Sequence, residues 1–300
     1  MKSPHKNKLT ALFNNSKLPS SDKVREIEVL EKYQQWISVL SDKNIPKDEY
    51  LKRIIDATNT YKNFIDLDFI FLSDQDFLYR QKGQLKLDNT ILEELLPYLI
   101  DDRLVPGPFS KENYFVGDEK CYAGLFFGKW LSDNSEDRLF IKQKNQDFAV
   151  GKTVKLTIQD GVSIDNIDLK VAYFAAELKT NLDKTMYQEA SATAMELKSN
   201  VQNSKYYLVC EWLDMTPIDS STSSIDSVIV LRKAKRISSN VRSQFSSVTG
   251  RKSGYEEYKK YIDLNPLDLK MFEYLVEMLN SALPIPNSEG NEIKLQRGHF

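Results

Sequence analysis

Histidine and cysteine are scarce in this sequence, and their scarcity removes several classes of enzyme from consideration. The 300 residues include only two histidines, His5 and His299, each close to one end of the chain. We therefore do not expect a mechanism that depends on a histidine base. The two cysteines, Cys121 and Cys210, lie far apart and outside any metal-ligand spacing, so we expect buried thiols in a reducing compartment. Carboxylate, lysine and metal chemistry remain.

The sequence also has no long apolar run and no strong net charge. No apolar stretch approaches the roughly 18 residues that a membrane-spanning helix needs, and none follows the basic N-terminus as a secretory signal would. We therefore expect a cytoplasmic protein with no membrane partner. A formal net charge of −2 argues against a non-specific DNA coat protein, but it permits an enzyme that attracts phosphate on one face.

Helical periodicity dominates the first third of the chain, residues 1–110. Residues 1–20 are polar, and we expect them to be loosely ordered. Apolar residues then recur at spacings of three and four, which predicts helices that begin at Ser21 and that cover Pro46–Phe64 and Asn89–Ile100. A loop at Val105–Pro108 ends this helical region. The apolar stripe expected on the first helix comprises Val24, Ile27, Leu30, Tyr33 and Ile37.

Strand patterns and helical patterns alternate in the remainder, residues 111–300. In one predicted strand, Phe148–Ile158, apolar residues alternate, so Val150 and Val154 should share the buried side. A helical tail is expected over Gly254–Leu283, before Pro284–Pro286. We therefore expect an α/β fold in which a mixed β-sheet core (strand-strand-helix-strand) carries a helical N-terminal region and C-terminal helices. The other predicted elements are strands at Tyr122–Phe127, Leu139–Ile141, Val171–Leu178, Tyr206–Trp212 and Val228–Leu231, and a helix at Asp183–Leu197.

One of four Glu-x-Lys sequences lies at the end of a buried strand. Alternate residues of a strand project to the same face, so Glu177 and Lys179 should lie side by side after the apolar run Val171–Ala176. The alternative for this pair is an exposed strand-end ion pair. The three other copies fail this test, because two lie in predicted helices, where such residues do not face each other, and one lies in a polar tail. These copies are Glu196–Lys198, Glu257–Lys259 and Glu292–Lys294.

A metal-dependent nuclease needs a second carboxylate near Glu177, and hairpin geometry selects Asp147. If the strands on either side of the intervening loop pair antiparallel, the start of the first strand lies beside the end of the second. Asp168 would lie about 30 Å from Glu177 along an extended chain. Asp160 and Asp165 would lie at the loop end, similarly remote.

These residues resemble the motif of the PD-(D/E)XK nuclease superfamily, without the proline that often precedes the aspartate. The stretch Ala175–Met186 is more specifically similar to type II restriction endonucleases of the BbvCI group, which cut short asymmetric DNA sites with two related subunits. The specific resemblance covers residues 140–215. It implies a sequence-specific double-stranded DNA endonuclease of a restriction-modification system. Such an enzyme would leave 5′-phosphate ends and act as a dimer, with itself or with a related subunit.

The resemblance also implies a role for each residue. Asp147, Glu177 and the backbone carbonyl of Leu178 would bind Mg²⁺. The metal would lower the pKa of its bound water and stabilise charge on the phosphate. Lys179 would orient or help to deprotonate the attacking water, and would balance charge in the transition state.

A helix is expected to open directly after this site. Asn181 or Asp183 can cap it, and Lys184, Thr185 and Gln188 could reach a DNA phosphate or hold the catalytic residues. The alternative is that these residues only cap and solvate the helix.

A second candidate for DNA contact is the basic segment, residues 228–255, which contains no acidic residue. Basic and small polar side chains suit contacts to phosphates and to guanine, and Gly250 and Gly254 should keep the segment flexible. A solvated charge run is the alternative. The basic residues are Arg232, Lys233, Lys235, Arg236, Arg242, Arg251 and Lys252.

Two other functions fit the same residues. One is a repair nuclease that selects DNA by structure rather than by sequence. The other is a non-catalytic DNA-binding subunit with a silent site, although such a subunit would be free to lose one of its three catalytic residues.

Overall fold

The computed structural model describes residues 2–107, 113–127, 139–160 and 163–283, in which helices flank one five-stranded sheet. Pro108, the predicted tail from Pro284, His299 and the Glu292–Lys294 copy lie outside the described residues. None of the described helices combines the length and the hydrophobicity that crossing a membrane requires.

The N-terminal region is helical, as predicted, and it also contains short segments of other helical types. A π-helical segment, Phe64–Phe71, continues α4, and a 3₁₀ turn, Leu96–Leu99, follows α6. The α-helices are α1 (Pro4–Phe13), α2 (Ser20–Lys23), α3 (Glu26–Leu40), α4 (Lys47–Asn63), α5 (Phe77–Leu85) and α6 (Leu87–Leu95).

The expectation that residues 1–20 are loosely ordered is wrong. They include α1, and His5 in its first turn is fully buried. Its ring nitrogens lie 2.8 Å from the hydroxyl of Tyr61 and 3.0 Å from that of Thr90. Burial, with the nearby positive charge of Lys62, lowers the pKa of His5 to about 3. His5 is thus a neutral residue of the core, which apolar periodicity does not reveal.

The apolar stripe of the first predicted helix is also displaced. Val24 and Ile27 are 78% and 72% exposed. The chain forms the short helix α2 and then begins α3 at Glu26, so the periodicity has to be counted from a later residue. The buried residues of α3 are Val29, Tyr33, Trp36 and Leu40.

The sheet has the strand order β1-β2-β3-β4-β5. The first three strands pair antiparallel, whereas β3, β4 and β5 pair parallel, so the mixed α/β fold is as predicted. The two short strands predicted between residues 139 and 158 are parts of one long strand. The strands are β1 (Tyr114–Phe127), β2 (Leu139–Asp160), β3 (Ser163–Leu182), β4 (Lys205–Leu213) and β5 (Ser227–Lys235).

The predicted helical tail consists of two helices rather than one. It begins before Gly254, because the side chain of Ser247 caps α9 by accepting a hydrogen bond from the backbone N–H of Gly250. Residues 265–268 then separate α9 from α10. The helices that follow β3 are α7 (Lys184–Asn200), α8 (Ser239–Gln244), α9 (Val248–Leu264) and α10 (Leu269–Ala282).

The two faces of the sheet are covered by different helices. Large residues such as Phe148 and Phe174 pack against the N-terminal helices and α10. On the other face, Ala149 and Ala175 of the sheet share a core with residues of α7. Small side chains on both elements allow the close approach of helix and strand. The predicted burial of Val154 is wrong, since this residue is 47% exposed. Among the described residues, β2 pairs only with β3 at this position.

Candidate active site

The candidate site lies where β2 and β3 separate. Their pairing ends at Phe148 and Ala176, after which β2 continues beside β1 and β3 continues beside β4. The backbone N–H of Leu178, which has no strand partner on that side among the described residues, donates to the carboxylate of Asp147 at 2.8 Å. A side chain thus takes the place of the missing strand, and this places Asp147 beside the end of β3, as hairpin geometry predicts.

Glu177 and Lys179 lie side by side at this strand end. The ammonium of Lys179 is 2.6 Å from one carboxylate oxygen of Glu177. The other oxygen accepts a hydrogen bond of 2.8 Å from the hydroxyl of Tyr206, on β4. Sequence reasoning did not identify Tyr206, because nothing in the run Tyr206–Trp212 distinguishes a tyrosine that supports a site from one in the core.

Electrostatics at the site favour a bound cation. Burial raises the pKa of Asp147; the N–H of Leu178 opposes this rise and the charge of Glu177 adds to it. Burial alone would lower the pKa of Lys179, but its hydrogen bond to Glu177 and the two carboxylate charges hold it above the ordinary value. Lys179 is therefore cationic at neutral pH, and an added cation would stabilise the ionised form of Asp147.

The residues present fit a metal that keeps several of its waters. Within the described part of the chain, no three side chains of His, Cys, Asp or Glu are grouped to enclose a metal ion. Two carboxylates and one backbone carbonyl can supply only part of an octahedral shell. Mg²⁺ ordinarily binds through one or two carboxylates and retains water, so Asp147, Glu177 and Leu178 form a suitable donor set.

A third carboxylate comes from α6, which sequence reasoning treated only as a packing helix. Glu93 lines the same cleft as Asp147 and accepts a hydrogen bond of 2.7 Å from the side-chain amide of Asn89. Burial, with the charge of Asp147, raises the pKa of Glu93 to about 7. The available signal was the four-residue spacing of Asn89 and Glu93, which places them on one helical face. A solvated helix face shows the same pattern.

A cleft of about 800 Å³ opens onto the site. Asp147 and Lys179 line it from the sheet, and Lys86 lines it from the N-terminal region. Arg236 and Arg242 line it from the C-terminal part of the chain. Cations on several sides of one cleft suit the binding of a phosphate backbone.

The start of α7 lies next to this cleft. The side chain of Asp183 caps the helix by accepting a hydrogen bond from the N–H of Met186, which decides between the two predicted caps. Lys184, Thr185 and Gln188 are exposed on the first turns.

Two of the arginines predicted to contact DNA are buried, and this corrects their assignment. Arg232 forms an ion pair of 3.0 Å with Glu211, which also pairs with Lys62. Arg251 is fully buried. Neither guanidinium can reach DNA without the loss of these bonds. The groups that accept hydrogen bonds from Arg251 are the backbone carbonyls of Phe71, Ser73, Gln75 and Phe245 and the carboxylate of Asp76.

Four of the other basic residues of the segment have acidic partners from distant parts of the chain. Asp214 lies 2.9 Å from Arg236 and 3.9 Å from Arg242. Lys233 and Lys252 are exposed, and Lys235 also lies at the surface. Acids elsewhere in the chain therefore offset the positive charge of the segment in part. Lys233 pairs with Asp268 and Lys252 with Asp74.

The glycines of the basic segment do not provide the predicted flexibility. Both lie within α9. A Cβ on Gly250 would lie 1.7 Å from the backbone oxygen of Gln244, and one on Gly254 would lie 2.5 Å from the ring of Phe245. Both glycines are thus required for close packing between α8 and α9.

The chain matches the Bpu10I restriction endonuclease family over residues 84–300, which is well over half of its length. The chain belongs to this family. It is therefore a type II restriction enzyme, a site-specific deoxyribonuclease that binds DNA, in a family that generally uses divalent metal ions. The matched region begins just before α6, so it includes Lys86, Asn89 and Glu93 as well as the sheet.

Structural comparison agrees with this family. The restriction enzyme is similar to a chain in the solved structure of the native BbvCI A2B2 tetramer, with a TM-score of 0.56 and 18% identity. The alignment covers 86% of this chain and 96% of the other. It shows a shared fold, and with the family match it confirms the resemblance predicted from the sequence. No curated protein sequence matches the chain.

Proposed function

We propose that the enzyme hydrolyses DNA phosphodiesters in a Mg²⁺-dependent reaction at Asp147, Glu177 and Lys179, and leaves 5′-phosphate and 3′-hydroxyl ends. The observation that supports this most directly is the arrangement of the three side chains. They meet where β2 and β3 separate, next to a cleft with cations on several sides.

Each residue has a distinct task in this proposal. Asp147, Glu177 and the carbonyl of Leu178 hold Mg²⁺, which when bound makes water more acidic and stabilises negative charge on the phosphate. The N–H of Leu178 fixes the orientation of Asp147, and the hydroxyl of Tyr206 does the same for Glu177. Lys179 orients the attacking water and balances charge in the transition state.

The DNA backbone would lie along the cleft. Arg236 and Arg242, which line it, are proposed to contact phosphates. Lys184, Thr185 and Gln188, exposed on the first turns of α7, are proposed to contact the same backbone nearer to the metal.

The enzyme is proposed to act as one subunit of a dimer or of a larger assembly, because one such site cuts one strand. The similar BbvCI chain comes from an A2B2 tetramer. By analogy, the partner would be a second copy or a related subunit.

The test is cleavage of plasmid DNA by the purified protein, alone and with any companion subunit. With Mg²⁺ we expect discrete fragments whose ends can be religated directly, which requires 5′-phosphates. EDTA should abolish the fragments. Fragments that persist in EDTA would refute the metal dependence, and cleavage of branched but not plasmid DNA would indicate a structure-selective nuclease. If neither substrate is cut under any condition, the catalytic assignment fails and a non-catalytic subunit remains.

A further inference from the structure

Lys86 occupies an unusual backbone conformation at the edge of the cleft. It ends α5 and precedes α6 with φ 53° and ψ 28°. This left-handed region is strained for most residues, since Cβ crowds the backbone, and glycine and asparagine adopt it most readily. Strain of this kind recurs at functional sites, where the side chain is needed.

The side chain of Lys86 lies in the cleft. Lys86 lines it together with Asn89 and Glu93, on the wall formed by α6, while Lys179 lines the wall formed by the sheet. The positive charge of Lys86 acts on both Asp147 and Glu93.

The ammonium of Lys86 is also uncommitted. Lys82, one turn earlier and lining the same cleft, forms ion pairs with Asp66 and Asp88. Lys86 is exposed, and within the described part of the chain it forms no ion pair. An exposed cation without a carboxylate partner, held in a cleft, is available for an anionic ligand.

We propose that Lys86 binds a phosphate of the DNA strand on the α6 wall of the cleft, opposite Lys179. This assignment rests on the proposed function, because it takes the cleft as the DNA-binding surface. The sheet and the helical wall would then each supply one cation to the DNA backbone. The ligand is a phosphodiester rather than a second metal ion, since an ammonium repels a metal ion and attracts a phosphate.

The backbone of Lys86 allows a test that separates function from stability. Lys86→Gly removes the ammonium and relieves the strain, so its melting temperature should equal or exceed that of the wild type. Its affinity for DNA should nevertheless fall several-fold, and the slope of log K against log salt should become shallower by about 1. Lys86→Arg keeps the charge and should retain both the affinity and the slope.

The matched control is Asn203→Gly. Asn203 also has a left-handed backbone (φ 63°) and is exposed between α7 and β4, outside the cleft. The melting temperature of Asn203→Gly, like that of Lys86→Gly, should equal or exceed that of the wild type, but its affinity for DNA should be unchanged.

The probe is a plasmid fragment that the wild type cuts, titrated at several salt concentrations. Each variant is combined with Lys179→Ala and measured in EDTA, so that the DNA stays intact. Unchanged affinity and salt slope in Lys86→Gly would overturn the assignment, as would an equal loss in Asn203→Gly. If the wild type cuts nothing, the proposed function fails, but any plasmid fragment still serves as probe and a shallower slope for Lys86→Gly would still support phosphate binding.

Discussion

Lys179 and Arg251 are both cations beside carboxylates, yet the fold gives them opposite surroundings. Lys179 is partly exposed at the end of β3, and its ammonium faces a cleft. Arg251, in the basic segment 228–255, is fully buried, and its guanidinium bonds to backbone carbonyls. A charged side chain is available to a ligand only where the protein has left its polar atoms accessible. Residue type alone does not decide this.

The two regions also differ in how far away their partners lie in the sequence. Lys179 pairs with Glu177 two residues away, and strand geometry alone brings them together. Arg236 and Lys252 pair with Asp214 and Asp74, which tertiary folding brings to them. The contact predicted from a short motif on a strand is therefore present in the folded protein. The net charge of a segment does not predict in the same way which of its cations are available to a ligand.

The largest effect is expected from Lys179→Ala. Loss of a cation that positions water and balances charge should lower the rate of DNA cleavage by roughly 10²- to 10⁴-fold. Lys259→Ala, in the Glu257–Lys259 copy on α9, should cut as fast as the wild type. The measurement is the rate of fragment formation from plasmid. Equal rates for both variants would mean that the Glu-x-Lys pair at the strand end contributes no more to cleavage than its copy on α9.

The next largest effect concerns Arg251. Arg251→Leu leaves buried carbonyls unpaired, so we expect the free energy of unfolding to fall by roughly 3–5 kcal/mol. Arg242→Leu, on the cleft side of the same segment, should change it by less than about 0.5 kcal/mol. Urea denaturation measures both. A stable Arg251→Leu protein with weakened DNA binding would restore Arg251 to the DNA contacts.

Gly254 tests whether the basic segment is packed or flexible. An added Cβ meets the ring of Phe245 at 2.5 Å, so Gly254→Ala should lower the free energy of unfolding by roughly 1–3 kcal/mol. Gly83→Ala on α5 meets nothing within 4 Å and should raise it by up to about 1 kcal/mol. A neutral or stabilising result at Gly254 would support the flexible segment that the sequence predicts.

The smallest effect is expected from the arginines that remain in the cleft. Replacement of both Arg236 and Arg242 by alanine should make the slope of log K for DNA binding against log salt shallower by about 2. The melting temperature should be unchanged. Fluorescence anisotropy of a labelled duplex provides the measurement. An unaltered slope would mean that neither Arg236 nor Arg242 contacts a phosphate.

The sequence was sufficient to predict the features that depend on residues close to one another in the chain. Alternation and apolar runs predicted the mixed sheet, and the loop between two strands placed Asp147 beside Glu177. The prediction that Val24 and Ile27 lie on the buried stripe of the first helix was wrong because the helix is interrupted before Glu26. The three- and four-residue spacing of apolar residues has to be counted from a later residue, and the spacing itself does not mark the interruption.

The features that were missed depend on contacts between distant residues. Glu93 and Tyr206 come to the site from α6 and β4, far along the chain from Asp147. The ordered N-terminus was missed because His5 is held by hydrogen bonds to Tyr61 and Thr90 rather than by an apolar pattern. No local propensity contains information of this kind.

The bond between Leu178 and Asp147 has a consequence for how the site can be observed. Backbone amides inside the β2–β3 ladder, such as those of Val150 and Phe174, exchange their hydrogen with solvent mainly when the sheet itself opens. The amide of Leu178 is protected by a carboxylate that can rotate about its own side-chain bonds. Its exchange rate therefore reports the position of Asp147, and deuterium uptake at this one peptide group can follow that side chain directly.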